Sequence, residues 1–116
     1  MIEFFDRHGS EAAYCLDGHS LYLWSGRAAA VIHDDKVYAY DGRFIGWADR
    51  GWISDEDGAC LLFERDAVGG PHKPQRQVKT TPGPRGTKPA RAELRQAPSH
   101  PASSTAWSHR VFSDLI

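Results

Sequence analysis

The sequence predicts an all-β fold, in which four short β-hairpins pack around a pseudo-fourfold axis and a long, mostly irregular C-terminal tail follows. Turn signals recur too often in residues 1–68 for a helix of three turns to fit between them. Four glycines repeat at intervals of 17, 16 and 16 residues, namely Gly9, Gly26, Gly42 and Gly58. All seven prolines lie from Pro71 onward. The chain therefore divides into a repetitive β-rich part and a part that does not suit regular structure.

Each of the four glycines has a predicted structural role in the turn of one hairpin. Around the middle two, the chain reads LYLWSGRAAAVI and VYAYDGRFIGWA, so that β-rich runs flank a Ser-Gly or an Asp-Gly pair. Such a pair predicts a two-residue turn of type I′, which needs positive φ at both central positions. The outer two turns contain one more residue, which places Gly9 and Gly58 at the left-handed position of a longer loop.

A second set of Asp-rich turns joins the hairpins, whose predicted bounds are Phe4–Leu16, Leu21–His33, Val37–Asp49 and Trp52–Arg65. Because an isolated hairpin is marginally stable in water, the four must bury one another. The fourth residue after the turn glycine is small in three hairpins, where it is Ala13, Ala30 or Gly46. We expect these small residues to lie nearest to the axis.

Composition divides the chain into three predicted parts. Residues 1–68, the β head, carry 6 basic and 13 acidic residues, which gives a net charge of −7, and 11 of the 13 aromatic residues. Residues 69–116 carry 8 basic and 2 acidic residues, a net charge of +6. Within them, residues 69–105 form a basic Pro-rich tail, too poor in apolar groups to fold alone. Residues 106–116 form a C-terminal anchor in which Trp107 is predicted to dock on the head.

The motif YxYDGRxxGW at Tyr38–Trp47 resembles the 4-fold beta flower domain family. Further agreement comes from four short segments, namely Gly51-Trp52-Ile53, Asp57-Gly58, Ala67–Pro74 and Ala106-Trp107-Ser108. The resemblance covers nearly the whole chain. It implies a flower-like arrangement of four hairpins, then an irregular tail with a closing element at Trp107. It also implies a bacterial protein. The family has no known activity, so the resemblance further implies that the protein is uncharacterised.

Several classes of protein do not fit this sequence. The longest apolar run, near residues 28–32, is too short to cross a bilayer. The acidic residues near the N-terminus do not suit a signal peptide. The sequence contains no Gly-X-Ser-X-Gly, Walker or His-Glu-X-X-His motif. We therefore predict a cytoplasmic protein that is not an enzyme, has no catalytic residues and makes no membrane contact.

The sequence also predicts no metal and no cofactor. His8, His19 and His33 lie at turns, but no two of them have close ligand spacing. Cys15 and Cys60 belong to no Cys-X-X-Cys motif, and we expect both to be buried structural residues.

Two aromatic residues, Trp24 and Tyr40, are candidates for ligand binding because each lies at a strand end beside a turn. Most other rings are needed for the core of a head this small. If the two candidates are exposed, they could stack on a glycan or another small ligand. A glycan or small-ligand binder is therefore one alternative function.

The tail supplies the other candidates, seven basic residues interspersed with prolines: Lys73, Arg76, Lys79, Arg85, Lys88, Arg91 and Arg95. They could contact phosphates, which makes a nucleic-acid-associated protein the second alternative. A protein partner that recognises the Pro-rich segment is also open, and so is an intramolecular role in which the basic tail wraps the acidic head. The function predicted first is a small non-enzymatic binding or structural module whose partner is unknown.

Overall fold

The computed structural model of this chain describes residues 1–77, 80–102 and 104–116. The backbone forms eight antiparallel strands that close into one barrel in sequence order. Their bounds are β1 Ile2–Phe5, β2 Glu11–Cys15, β3 Ser20–Leu23, β4 Ala28–His33, β5 Lys36–Ala39, β6 Phe44–Asp49, β7 Trp52–Asp55 and β8 Cys60–Glu64. A short 3-10 helix, Phe112–Asp114, follows near the end of the chain. In the described residues, no helix has the length and apolar character needed to cross a membrane.

The predicted fold class is wrong in its architecture, although the chain is all-β. Each strand pairs with both of its neighbours, and β1 pairs with β8, so the eight strands form one continuous sheet rather than four separate hairpins. The chain after β8 is also not a long irregular tail. Its described residues follow the outside of the barrel, held by repeated backbone hydrogen bonds, and its end enters one end of the barrel. Closure of the sheet removes the exposed edges that separate hairpins would have.

The two-residue turns predicted at Ser25-Gly26 and Asp41-Gly42 are wrong as well. The Gly42 N–H donates to the Ala39 carbonyl at 3.0 Å, and Gly26 makes the equivalent bond. Gly42 has a φ of 89°, but the residues with positive φ do not include Asp41. All four turns are therefore longer loops in which the glycine takes the left-handed conformation.

Every hairpin contains one extra residue next to its turn. In the first hairpin Phe4 pairs with Ala13 and Phe5 pairs with Glu11, which leaves Ala12 without a partner across the ladder. The other three hairpins have the same irregularity, and their extra residues are Ala29, Ile45 and Leu61. A bulge of this kind bends the strand and increases its twist. Here it turns two consecutive residues of each even-numbered strand towards the barrel interior.

The barrel interior is filled from all eight strands. Each odd-numbered strand contributes a residue that is at most 5% exposed, namely Phe4, Leu21, Val37 and Ile53, and β5 also contributes Ala39. Ala13, Ala30 and Leu62 lie in the same cluster. Because side chains alternate along a strand, the next residues point outward. These outward residues, Tyr14, Val31, Trp47 and Phe63, are nevertheless buried, so the outer face of the barrel is covered.

The cover is the segment that we call the collar, which comprises residues 69–110. Three of its N–H groups, nine residues apart, donate to the carbonyls of three turn glycines: Gln77 to Gly9 at 3.0 Å, Gly86 to Gly26 at 2.7 Å and Arg95 to Gly42 at 3.0 Å. Gly83 and Ala92, also nine residues apart, donate to the carbonyls of Trp24 and Tyr40. The collar thus passes the first three turns in register with the pseudo-fourfold barrel.

Candidate functional site

The end of the barrel that carries the four glycine turns, which we call the mouth, is occupied by the last residues of the chain. Phe112 is 4% exposed and belongs to the interior cluster, against which Leu115 and Ile116 also pack. We call residues 111–116 the plug. Because the plug is one short segment, it does not fill the gaps beside every hairpin.

The size of the bulge residue differs between the hairpins. Hairpins one and two have Ala12 and Ala29 at this position, whereas hairpins three and four have Ile45 and Leu61. An open cavity of about 430 Å³ is lined by Ala12, and a second cleft of about 510 Å³ is lined by Ala29. A cleft of about 320 Å³ lies beside Ile45. The two larger of these three spaces thus each have an alanine bulge residue in their lining, and Leu61 also lines the first.

The 430 Å³ space, which we call the mouth cavity, lies between the plug and hairpins one, two and four. Its apolar lining includes Ala12, Leu23, Leu61, Leu62 and Phe112. Its polar lining residues come from the first two hairpins, the collar and the plug, namely Asp6, Arg7, His8, Glu11, Ser25, Ser108, Arg110 and Ser113. An apolar wall with a few polar groups is the usual composition of a small-molecule pocket.

Three charged residues of the mouth cavity are engaged by the protein itself. The Glu11 carboxylate accepts hydrogen bonds from the Thr80 N–H at 2.7 Å and from its hydroxyl at 2.6 Å. Arg7 Nη1 donates to the Ser108 carbonyl at 3.3 Å. Arg110 Nη1 lies 3.1 Å from Asp55 Oδ2. These contacts leave little net charge for a ligand in the cavity.

Asp55 fixes the collar to the fourth hairpin. Its side chain is buried, and its Oδ1 accepts from the Asp57 and Ala59 N–H groups at 2.9 and 3.0 Å. Its Oδ2 accepts from the Ser108 hydroxyl at 2.7 Å and lies beside Arg110. A buried carboxylate needs this number of partners to offset its desolvation. Asp55 therefore holds the cavity wall in one position.

Cys60 also lines the mouth cavity, and its environment bears on catalysis. Burial, together with the Asp55 carboxylate, raises the pKa of the Cys60 thiol to about 11. Because the thiolate is the nucleophile, this thiol is unreactive at neutral pH. Burial also raises the pKa of Cys15. Both cysteines are buried, and neither forms a disulfide.

The 510 Å³ space, which we call the second cleft, lies between hairpins two and three. Its floor contains Ala28, Ala29 and Ala39, and its lips carry Arg27 and Arg43. Each arginine directly follows a turn glycine. Arg43 Nε lies 2.6 Å from Asp41 Oδ2, whereas Arg27 forms no ion pair with any described residue. The second cleft is thus more basic than the mouth cavity.

The two predicted ligand-binding aromatics lie at these two spaces. Trp24 lines the mouth cavity and is half-buried, with its indole N–H donating to Thr80 Oγ1 at 3.0 Å. Tyr40 lines the second cleft and is also half-buried. Its hydroxyl is buried and has no hydrogen-bond partner among the described residues. Ligand binding by these rings stays a prediction.

Most of the predicted basic contact residues face the barrel. Lys73 Nζ donates to the carbonyls of Arg65 and Ala67 at 2.9 and 2.7 Å. Three more lie against barrel groups: Arg76 over the Phe5 ring, Arg85 over the Tyr22 ring and Lys88 at 3.6 Å from Asp17 Oδ2. Arg91 and Arg95 are exposed. Lys79 lies outside the described residues.

Trp107 packs over the short seam between β8 and β1. The seam contains two residue pairs, Phe4 with Glu64 and Phe5 with Phe63. The Trp107 ring lies 5.6 Å from the Trp52 ring and 5.9 Å from the Phe63 ring. Its backbone bridges to Cys60, whose N–H donates to the Ala106 carbonyl at 2.9 Å. How much stability Trp107 contributes as an anchor stays a prediction.

The four turn glycines have positive φ, between 78° and 98°. At Gly9, Gly26 and Gly42, an added Cβ would also overlap a collar carbonyl, and at Gly58 it would lie 3.1 Å from one. Of the described residues, no three His, Cys, Asp or Glu side chains are grouped so as to hold a metal ion.

Sequence reasoning missed the bulge residues and the second cleft. Counting three residues on from each turn glycine gives Ala12, Ala29, Ile45 and Leu61, so the difference in size is visible in the aligned repeats. The alignment does not show the bulge, which turns the side chain at this position towards the barrel interior. The plug was expected to dock on the head, but nothing in its sequence specified the mouth.

Comparison with known proteins bears on the family alone. A family model described as 4-fold beta flower protein matches residues 2–116. No curated protein and no solved structure matches the chain. Since the family model spans nearly the whole chain, the chain belongs to the 4-fold beta flower protein family.

Proposed function

We propose that this protein is a small non-enzymatic binding module whose mouth cavity binds an uncharged, mainly apolar small molecule. The observation that carries the proposal is the cavity itself, about 430 Å³ beside Ala12. This volume lies within the range of about 300–1,000 Å³ that is usual for small-molecule pockets.

The engaged charges favour an uncharged ligand. Glu11, Arg7 and Arg110 each have a partner within the protein, so an ionic ligand would have to compete with existing contacts. The high pKa of Cys60 supports a role in binding rather than covalent catalysis. The cytoplasmic location predicted from the sequence stays part of this proposal.

The nucleic-acid alternative has less support. Four of its predicted phosphate contacts, Lys73, Arg76, Arg85 and Lys88, lie against barrel groups. Non-specific nucleic-acid binding depends on the number of cations that reach phosphates. The exposed candidates are Arg76, Arg85, Lys88, Arg91 and Arg95. Of these, Arg91 and Arg95 alone make no such side-chain contact with described barrel groups, which is a small number for this purpose.

The test is titration with the neutral fluorescent probe N-phenyl-1-naphthylamine, whose emission rises in apolar sites. We expect saturable binding by the full chain and its loss in Ala12→Leu. The larger side chain should be accepted, because Leu61 occupies the equivalent bulge position of hairpin four. The matched control is Ala29→Ile, which fills the second cleft and should leave probe binding intact.

Thermal melting of both variants establishes that they fold. Absence of saturable binding to the wild-type chain would contradict the proposal. Equal binding by the wild type and a folded Ala12→Leu variant would also contradict it, because the probe would then occupy another site.

A further inference from the structure

We infer that the second cleft is a separate site for a small oxyanion, a phosphate or carboxylate, attached to a compact apolar body. This site is separate from the mouth cavity, since the two spaces have no lining residue in common and differ in charge. The inference depends on two arginines, an apolar floor and the balance of charge among the lining residues.

The pseudo-fourfold repeat brings the two arginines to one cleft. Arg27 and Arg43 occupy the same position, one residue after the turn glycine, in consecutive hairpins. Both line the cleft, one from each lip. The equivalent residues in the other two hairpins are Ser10 and Ala59. Two guanidinium groups can therefore approach one bound anion here, and the other hairpins do not offer the same pair.

The guanidinium groups retain donors for a ligand. Arg27 is exposed and has no ion pair with the described residues. Arg43 uses its Nε for Asp41 Oδ2, and a guanidinium has five N–H donors in all. Arginine binds phosphate and carboxylate through two parallel hydrogen bonds, which gives geometric specificity as well as affinity.

The floor explains why the ligand needs an apolar body. The side chains of Ala28, Ala29, Ala39, Pro89 and Ile116 give the cleft an apolar lining. A bare inorganic anion would contact the arginines but would leave this surface exposed to water. An aromatic or short aliphatic group covers it, and burial of apolar area then adds to the affinity.

The charge near the cleft favours an anion. Among the described residues that line it, Asp41 has the one acidic side chain, against the two arginines, and Ile116 also lines the cleft. The collar residues Gly86 and Thr87, which add no charge, also line it. The mouth cavity, in contrast, is lined by two acidic and two arginine residues. A basic cleft raises the local concentration of small anions.

The experiment is an NMR titration of the full chain with phenyl phosphate, followed through its backbone amides. Phenol and inorganic phosphate serve as probes for each half of the ligand. We expect saturable shifts at the amides of Arg27 and Arg43, and weaker binding of both half-probes. Arg27→Gln should weaken phenyl phosphate binding by about tenfold or more, because the charge and the paired hydrogen bonds of the guanidinium are lost.

Two further variants separate the site from general electrostatics. Ala29→Ile fills the floor and should weaken phenyl phosphate while leaving inorganic phosphate unchanged. Arg65→Gln removes an exposed charge that pairs with Asp66 away from the cleft, and it should change nothing. Melting curves confirm that each variant folds, and Ala12→Leu should bind phenyl phosphate normally whatever its effect on the mouth cavity.

Three results would overturn the inference. The first is unchanged affinity in a folded Arg27→Gln variant. The second is equal affinity for phenyl phosphate and inorganic phosphate, which would remove the role of the floor. The third is tighter binding of a single-stranded oligonucleotide through the same arginines, which would make the cleft part of a nucleic-acid surface.

Discussion

The barrel and the collar are both matched to a pseudo-fourfold axis, but they achieve this in different ways. The barrel repeats every 16 or 17 residues, and its repeats share a turn glycine that is visible in the sequence. The collar contacts three successive turns at intervals of nine residues, through the N–H groups of Gln77, Gly86 and Arg95. These three residues have no side-chain chemistry in common.

The difference follows from which atoms make the contacts. A left-handed turn selects glycine, because other side chains are strained there. A backbone N–H donor is present in every residue except proline. A collar contact can therefore be made by almost any residue type. The turn glycines of the barrel can therefore be recognised in the sequence, whereas the backbone contacts of the collar cannot. Substitutions at their shared contacts test this account.

The largest effect is expected where both regions depend on one residue. Gly26→Ala adds a Cβ that would overlap the Pro84 carbonyl of the collar, at a position where φ is 98°. We expect a loss of about 3 kcal/mol or more in the free energy of unfolding, since strain and displacement of the collar add. Denaturant unfolding measures it.

Gly18→Ala is the matched control for that substitution. Gly18 has a φ of 81°, but an added Cβ meets nothing within 4 Å. Strain alone should therefore cost about 1–2 kcal/mol. Equal losses in the two variants would mean that the collar does not depend on close approach to the turn.

An intermediate effect is expected at Asp55. Asp55→Ala removes the acceptor of Ser108 and Arg110 as well as the hydrogen bonds within its own turn. Arg110 keeps Asp57 and Glu56 as partners, so loss of this buried hydrogen-bonded carboxylate should cost about 2 kcal/mol. Hydrogen exchange should show faster opening of the collar around Ser108.

The control for Asp55 is Asp6, which holds the same position in the first hairpin. Its Oδ1 accepts from His8 and Ser10 N–H groups within its own turn, and it makes no hydrogen bond to the described part of the collar. Asp6→Ala should therefore cost about 1 kcal/mol. If both variants lost the same stability, the contact between Asp55 and the collar would contribute nothing.

The smallest effect is expected for one collar N–H. Ala92→Pro removes the hydrogen bond to the Tyr40 carbonyl, which is 2.9 Å long. Proline already occupies the positions nine residues on and eighteen residues back, Pro101 and Pro74. The loss should be about 1 kcal/mol, the net value of one hydrogen bond. A loss as large as that of Gly26→Ala would show that this contact dominates collar binding.

The sequence predicted the turns and hairpins better than it predicted the closure of the sheet into a barrel. The glycine spacing located all four turns, and the predicted hairpin bounds lie within two residues of the observed strands. The pairing of β1 with β8 was missed, because long-range pairing leaves no local pattern. The type I′ prediction at Asp41-Gly42 failed for a related reason, since a longer loop that contains the same pair has the same residues.

The candidate sites were partly visible in the sequence. Trp24 and Tyr40 were selected for their position beside turns, and they lie at the two larger spaces of the mouth. The spaces depend on a bulge that turns Ala12 and Ala29 inward, and on a plug that arrives from the other end of the chain. Sequence alone did not relate these three elements to one another.

The position of the plug has a consequence for synthesis. A ribosome makes β8, which ends at Glu64, well before it reaches Phe112, and domains can begin to fold while synthesis continues. The eight strands are therefore available to close while the mouth still lacks its plug. In that interval Leu21 and Val37 are less protected from water, and a nascent barrel is at its most exposed to chaperones and to other nascent chains.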